Sequence, residues 1–394
     1  MTQLAFPFDS PPERDDEPLH ARLRREDPVP RVRLASGGDA YLASRAVDVR
    51  RIFVDRVFSR AAATRPGAVT LRPARLSPHV LVSMDPPDHT RLRGLVNRAF
   101  TPRTVERMRP AVQLMTDRLI DDMLAVGPPA DFVGMFALPL PAMALAAMLG
   151  VPEEDHLRLR SWMDVMMSIT AYTPGQMRSA SRQMLVYLAH LAAAKRAEPG
   201  DDLLSGLISA RDGENRLSES ELLHTALIIL TGGYETTAML LANSVLTLDR
   251  HAEQWELMRR DPDAIPAAVE ELLRYTRISR ASLERVATED VELSGVTVPA
   301  GSTVIGLKYS AHRDEELIDD PDRFDITRSH VPHMAFGLGV HHCIGASLAR
   351  LELTVAYETL ARRMPGLRPA VPDTDLPWKR GLITRGPEKL PVTW

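Results

Sequence analysis

Apolar positions recur at three- and four-residue spacing along most of the 394-residue chain, the repeat of one helix face. The clearest run is Leu217 to Arg250. Ser218 and Glu221 give it a capping-box start. Ala226–Leu230 and Ala238–Ala242 are apolar on every side, so this helix is expected to cross the interior. Thr101-Pro102 predicts another start, a cap followed by proline at the first helical position, with the helix running through Leu124 and stopping at Gly127-Pro128-Pro129. Further helices are expected within residues 138–194, where the Met-rich stretch Trp162–Thr170 reads as packing. Asp85-Pro86-Pro87-Asp88 opens a helix through Arg93, and Asp263–Tyr275 and Ala346–Arg363 are helical by the same criteria.

Strand pattern is scarcer. A strand precedes the amphipathic helix within Tyr41–Val57, Val291–Ile305 reads as strand, turn, strand with the turn at Pro299-Ala300-Gly301, and Leu376–Trp394 holds short strand-like pieces. Residues 1–35 are expected to be an extended lead-in with a short helix near Leu19–Glu26. Between Ser59 and Met84 the periodicity disappears, and Pro66, Gly67, Pro73 and Pro78 punctuate a long loop. No linker, repeat or low-complexity tract divides the chain. The expectation is a mainly α fold with a minor β part, in a single domain over residues 1–394.

Composition narrows the role. With 44% hydrophobic and 25% charged residues the chain reads as an ordinary globule. A net charge of −4 argues against a general nucleic-acid role. The longest apolar stretches are interrupted or fall short of about 18 residues, so no membrane span is expected. Met1–Glu13 carries no export signal, and one cysteine suits a reducing compartment, so a cytoplasmic protein is expected.

That single cysteine lies in Phe336-Gly337-Leu338-Gly339-Val340-His341-His342-Cys343-Ile344-Gly345, directly ahead of a helix. Gly337, Gly339 and Gly345 permit tight turns and close approach to something flat. Helix N–H groups and the dipole would favour a thiolate at Cys343, and one thiolate with open positions suits haem iron. A zinc site on His341, His342 and Cys343 is the metal alternative, although three near-adjacent ligands make a poor tetrahedron. In the long central helix, Thr231-Gly232-Gly233-Tyr234-Glu235-Thr236-Thr237 is costly for a buried helix. Such a cluster is expected to distort it and to leave room for water or a small ligand. His89 and Arg93 share a helix face and could grip one carboxylate or phosphate, and Glu271 and Arg274 could pair three residues apart.

Together these stretches resemble the cytochrome P450 family, in particular its soluble bacterial members, over nearly the whole chain. The haem-binding pattern Phe-x-x-Gly-x-x-x-Cys-x-Gly is met by Phe336, Gly339, Cys343 and Gly345. Gly-x-Glu/Asp-Thr is met by Gly233, Glu235 and Thr236, Glu-x-x-Arg by Glu271 and Arg274, and His-x-x-x-Arg by His89 and Arg93, all in the family's order.

The resemblance implies a P450 fold with haem b between the central helix and the Cys-loop helix, and Cys343 as its metal ligand. His89, Arg93, Arg285 and His341 would hold the two propionates, with Phe336, Gly337, Gly339 and Gly345 in the proximal loop. Glu271 and Arg274 would be a structural ion pair. Thr236 and Glu235 would be the catalytic pair that positions water and feeds protons. Gly232, Tyr234 and Leu338 depart from common family residues without removing a catalytic group, and the Arg277-Ile278-Ser279-Arg280 stretch lacks a frequent Pro-Val.

The expected function is a monomeric haem-thiolate monooxygenase that uses dioxygen to hydroxylate or epoxidise a small organic substrate in polyketide, terpenoid or modified-peptide biosynthesis. A lone cysteine cannot hold an iron–sulfur cluster, so electrons would come from a separate ferredoxin and ferredoxin reductase. Arg98, Arg103, Arg107, Arg350 and Arg362 are candidates for the docking face. A non-catalytic haem sensor or carrier and a peroxide-driven oxidant are the alternatives. The pocket is expected from the 60–84 loop, residues 162–177, Leu230–Tyr234, and segments 278–284 and 380–384.

Overall fold

The computed structural model describes residues 4–8, 17–97, 100–209 and 217–394. Strand β1 (Leu4–Phe6), helix α1 (Glu17–Glu26) and strand β2 (Arg31–Leu34) occupy the expected lead-in. The lead-in is therefore not merely extended: β1 pairs parallel with β2, Phe6 opposite Leu34, and both residues enter an apolar cluster. Strand β3 (Asp39–Ala43), helix α2 (Ala46–Val54) and β4 (Phe58–Ser59) follow, and the 59–84 stretch has only two short 3-10 turns.

Helices α3 (Asp88–Asn97), α4 (Pro102–Glu106) and α5 (Arg109–Val126) come next. Thr101 caps α4 by accepting from the Thr104 amide at 3.2 Å. The single helix expected through Leu124 is two, because Pro110 has no N–H to continue the ladder and its ring opposes the carbonyl four residues back. After β5 (Ala130–Asp131) and a π-turn at Val133–Ala137 come α6 (Pro139–Leu149), α7 (His156–Met166), α8 (Pro174–Ala197) and α9 (Leu203–Ser209).

Helix α10 (Glu219–Arg250) spans 32 residues, roughly 48 Å. Its capping box forms: Ser218 Oγ accepts from the Glu221 amide at 3.1 Å, and Glu221 Oε2 accepts from the Ser218 amide at 2.8 Å. It is long and apolar enough to cross a membrane, yet 78% of its most apolar stretch is buried inside the protein, in one core cluster with residues of α5, α6, α8 and α14. The helix runs unbroken through the stretch where distortion is expected, and its hydroxyls bond back to carbonyls one turn earlier: Thr231 to Leu227 O at 2.8 Å and Thr236 to Gly232 O at 2.7 Å.

Helices α11 (Ala252–Arg260) and α12 (Ile265–Tyr275) lead to strands β6 (Arg285–Ala287), β7 (Val291–Leu293), β8 (Val296–Val298) and β9 (Thr303–Gly306). The hairpin turns at Ser294-Gly295, both at positive φ, rather than at Pro299–Gly301 as expected. Residues 299–302 instead redirect the chain so that β9 lies parallel to β3 and antiparallel to β6, in the sheet order β1-β2-β3-β9-β6-β4. Helix α13 (Lys308–Ala311), helix α14 (Ala346–Arg363), β10 (Arg368–Pro369) and β11 (Pro391–Thr393) complete the chain, and β10, β11 and β5 form a second sheet.

Two ion pairs fasten α12. Arg274 and Glu271 have fully buried side chains and meet through two bonds of 2.7 Å. Arg274 also donates to His312 O, Pro321 O and Arg323 O, and Glu271 accepts from the Asp325 amide. Next to it, Glu270 accepts from Arg350 on α14 at 2.6 and 2.8 Å and meets His333 Nε2 at 3.0 Å. Burial alone would raise the Glu270 pKa, but these bonds and charges outweigh it and bring it down to about 2.

Arg274→Met should cost about 3–5 kcal/mol, read as a lowered urea midpoint, because it leaves a carboxylate buried without its partner. Glu270 is held below its ordinary 4.5 in the folded protein, so its contribution is complete above about pH 4.5 and is lost as pH falls towards 2. Glu270→Gln should therefore lower the urea midpoint at pH 7, and its deficit against the parent protein should shrink as pH is lowered below 4.5.

Candidate active site

The 334–345 segment is folded by its own amides. Gly337 N–H donates to Met334 O at 2.9 Å, His342 N–H to Gly339 O at 3.1 Å, and Cys343 N–H to Phe336 O at 2.8 Å. Gly337 and Gly339 have φ of 70° and 67°, where a side chain is strained. A Cβ on Gly339 would also lie 2.9 Å from Phe53 O, so the loop presses against the end of α2. Gly345 differs: its φ is −85°, and it caps α14 with its amide directed at the Cys343 sulfur.

Cys343 is accessible to water although protein surrounds its thiol deeply. Both observations hold if it faces an enclosed space. Burial raises the Cys343 thiol above its usual pKa, while the Gly345 amide, Lys308, Arg93 and Arg350 oppose the rise. The expected thiolate is thus not secured by the helix terminus; a soft cation bound at the sulfur would secure it. Phe336 lies on the same loop, with the Arg350 guanidinium 4.6 Å from its ring centre. Lys308, buried and lowered to about 8, donates to Ala335 O at 2.9 Å.

Beside the loop stands a buried basic cluster. The His89 and His341 rings are 4.4 Å apart. Neither His89 nitrogen has a partner, although both are buried. Arg285 is buried against the Phe53 ring at 4.9 Å, and desolvation, then Arg60, lowers it to about 9. Burial first, then His89, Arg285, Arg60 and Arg93, depress His341 to about 3. Arg93 itself donates from Nε to Asn97 Oδ1 at 2.8 Å. Arg60 donates to Val82 O at 2.8 Å and to Glu284 O, and its backbone amide to Asp85 Oδ1 at 2.9 Å. So many cations facing two unpartnered imidazole nitrogens call for added carboxylates. A haem with two propionates beside a soft sulfur ligand fits this donor set.

On α10, Gly232 and Thr236 lie one turn apart and are open in the middle of an otherwise buried helix. A Cβ on Gly232 would meet nothing within 4 Å. Glu235 is 0% exposed and accepts from Lys379 Nζ at 2.7 Å. Its second oxygen is buried without a partner, and Tyr234 and Asp164 lie close enough to it to interact with its charge. Desolvation, reinforced by Glu235 and opposed by Lys379, raises the Asp164 pKa.

The structure thus gathers His89, Arg93, Arg285 and His341 around the loop of Phe336, Gly337, Gly339, Cys343 and Gly345. Glu235 and Thr236 sit on α10, and Glu271 and Arg274 stand apart as a buried pair. His341, His342 and Cys343 do not converge as a metal trio, nor does any group of three such residues among those described. Of the expected docking arginines, Arg103, Arg107 and Arg362 are exposed. Arg350 is already engaged by Glu270, and Arg98 lies outside the described residues. Sequence reasoning missed Arg60, Arg72, Lys308 and Lys379. Arg60 and Arg72 are buried within the aperiodic loop while Arg65 and Arg75 are exposed, and local pattern does not separate the two kinds.

Comparison with known proteins gives the same frame. The Cytochrome P450 family model matches residues 163–364. Nocardicin C N-oxygenase of Nocardia uniformis subsp. tsuyamanensis is 46% identical over 99% of this chain and 98% of its own length. Mycinamicin IV hydroxylase/epoxidase of Micromonospora griseorubida is 42% identical over 95% of this chain and 94% of its own. Among solved structures, the LnmA cytochrome P450 hydroxylase from the leinamycin biosynthetic pathway of Streptomyces atroolivaceus superposes with a TM-score of 0.89 at 44% identity, covering 99% of this chain and 100% of that one. The putative thioether synthase SgvP, involved in tailoring griseoviridin, reaches 0.95 at 39%, covering both chains completely. With the Cys343 loop, the basic cluster and the α10 acid in place, the chain belongs to the cytochrome P450 family of haem-thiolate monooxygenases.

Proposed function

We propose that this single-domain, monomeric protein oxidises a small organic molecule during assembly of a bacterial natural product, in the cytoplasm, with electrons from a separate ferredoxin and its reductase. The named relatives act on nocardicin C and mycinamicin IV or belong to leinamycin and griseoviridin tailoring, which supports that setting. Insertion of one oxygen atom, as hydroxyl or epoxide, is the outcome we assign. The observation that carries the reading is the open Cys343 sulfur beside a buried basic cluster whose His89 nitrogens lack partners.

In this reading Cys343 Sγ ligates the haem iron, and His89, Arg93, Arg285 and His341, joined by Arg60, receive the propionates. When bound, haem with a thiolate ligand supplies dioxygen activation and O–O cleavage. The chain's part is to orient and to deliver protons. Thr236 donates its hydroxyl proton to Gly232 O, which leaves the oxygen's lone pairs to accept from a water in the open space. Glu235 holds one oxygen against Lys379 and keeps the other free, so a proton arriving there can pass towards Thr236. The free oxygen of Glu235, with the Tyr234 hydroxyl and the Asp164 carboxyl near it, offers a polar path that water would complete. Such a relay favours dioxygen chemistry over a sensor or carrier, which needs no proton path.

Cys343→Ser should abolish the thiolate-type spectrum of the reduced carbon monoxide adduct. Survival of that spectrum would reject the ligand assignment. Thr236→Ala and Lys379→Met should leave that spectrum intact but cut product formed per electron consumed by about tenfold, the scale of losing one general acid–base group's contribution in part. Peroxide should rise to match, measured with a substrate found by its shift of the haem spin state. Unchanged coupling would remove these residues from the relay.

A further inference from the structure

Four aperiodic segments meet on the side of the molecule that also supplies Lys379 to Glu235. Ile169 and Thr170 amides donate to Gly381 O at 2.7 and 2.9 Å, and Ile383 N–H to Met167 O at 3.0 Å. Ser279 bridges to Thr384, and Leu71, Ile169 and Ala281 share one apolar cluster. Arg72 enters this junction from the 59–84 loop. It is 9% exposed, and its one hydrogen bond runs from Nη1 to Met166 O, the last carbonyl of α7, at 3.3 Å. Among the described residues its Nε and Nη2 donate to no protein group, and both remain reachable by water. These two nitrogens form one edge of the guanidinium, the edge that takes a carboxylate through two parallel bonds.

The surroundings point the same way. Glu284 is close enough to interact electrostatically with Arg72, but no ion pair within 4.0 Å joins them among the described residues. One Glu284 oxygen is buried without a partner. Arg72 is one step removed from Arg285: Arg60 and Glu284 interact with Arg72, while Arg60 and Asp85 are the charges that act on Arg285. A guanidinium desolvated this far, with its forked edge unpaired by the described residues, favours an added carboxylate.

We propose that Arg72 receives a carboxylate of the substrate, so that this enzyme selects organic acids and anchors them by the acid group while another part of the molecule reaches the reactive centre. Glu284 balances the Arg60 and Arg72 charges and keeps the edge turned towards the open space. The proposal rests on the monooxygenase reading, because it places the site in the substrate pocket.

A series of ω-(imidazol-1-yl)alkanoic acids of increasing chain length, each paired with its methyl ester, tests it on the haem-loaded protein. The imidazole seats every probe at the haem, followed by the Soret shift, and the chain length sets how far the acid reaches. At an optimal length the acid should bind at least about tenfold tighter than its ester, the scale of a charge-assisted hydrogen-bonded pair. Arg72→Gln should erase this preference, Arg72→Lys should keep part of it, and plain imidazole should bind all three proteins alike. Equal binding of acid and ester at every length in the parent protein would overturn the proposal, as would a preference that survives in Arg72→Gln. If Arg72→Gln does not bind imidazole, Arg72→Lys decides: a several-fold smaller preference than the parent's supports the proposal, and an unchanged one overturns it. Failure of imidazole to shift the parent spectrum would instead count against the haem reading.

Discussion

Arg274 has five N–H donors and no exposed surface, and satisfying them determines where the reactive cysteine lies. The guanidinium takes Glu271 on its own helix and the carbonyls of His312, Pro321 and Arg323 from the segment that follows α13. His312 is then fixed at both ring nitrogens. Nδ1 donates to Arg274 O at 3.0 Å, and Nε2 accepts from the Met334 amide at 2.8 Å. This arrangement requires a neutral ring, and burial holds the His312 pKa well below its usual value. From Met334 the connection continues through Gly337 N–H to Met334 O and Cys343 N–H to Phe336 O. A chain of hydrogen bonds therefore leads from one buried ion pair to the sulfur-bearing residue. Each link leaves a costly unpaired group if broken, which makes the loop rigid before any ligand enters.

The other buried charges divide into those that find partners within the chain and those that do not. Glu235 has Lys379, Glu270 has Arg350 and His333, and Glu271 has Arg274. His89, Arg285 and Arg72 are underprovided among the described residues, as is Glu352 on α14, whose pKa burial raises to about 8. Protein interiors tolerate few unsatisfied polar atoms, so those beside the cysteine loop mark where material from outside the chain belongs. Two propionates account for His89 and Arg285. Arg72, whose charge acts with Glu284 and Arg60 and not directly with Arg285, is the one proposed for the substrate.

Most helices and the site loop were legible because their signals are local. Ser218 and Glu221 form the capping box that the spacing predicts, and α14 runs over the expected Ala346–Arg363. The errors came where a distant strand or a single proline decides. Pro110 splits the helix expected from Thr101, and β9 leaves the hairpin to pair with β3, which lies some 260 residues earlier in sequence. The motif residues of the site could be read because each motif occupies one short segment. Lys379, Lys308, Arg60 and Arg72 could not, since their meaning comes from burial against segments far away in sequence. An arginine in an aperiodic loop looks the same whether it will be solvated, as Arg75 is, or enclosed, as Arg72 is.

The two sides of the haem space differ in how much freedom the chain retains. On the cysteine side, glycine torsions, a gap at Phe53 O too narrow for a Cβ and the Arg274 network leave one arrangement. Opposite it, the walls are short bridges between loops, such as Ser168 to Leu382 and Ser279 to Thr384, and several buried polar atoms have no partner. A fixed ligand and a conserved prosthetic group need the first kind of construction, which is precise and indifferent to substrate. Substrates differ between relatives that share this fold at TM-scores near 0.9, so recognition has to reside in the second kind. Loops joined by few backbone bonds can change residues without disturbing the core, and a buried charge placed on one of them gives specificity at little structural cost elsewhere. Arg72 occupies such a position: it is tied to α7 by one carbonyl, and its Nε and Nη2 have no acceptor among the described residues.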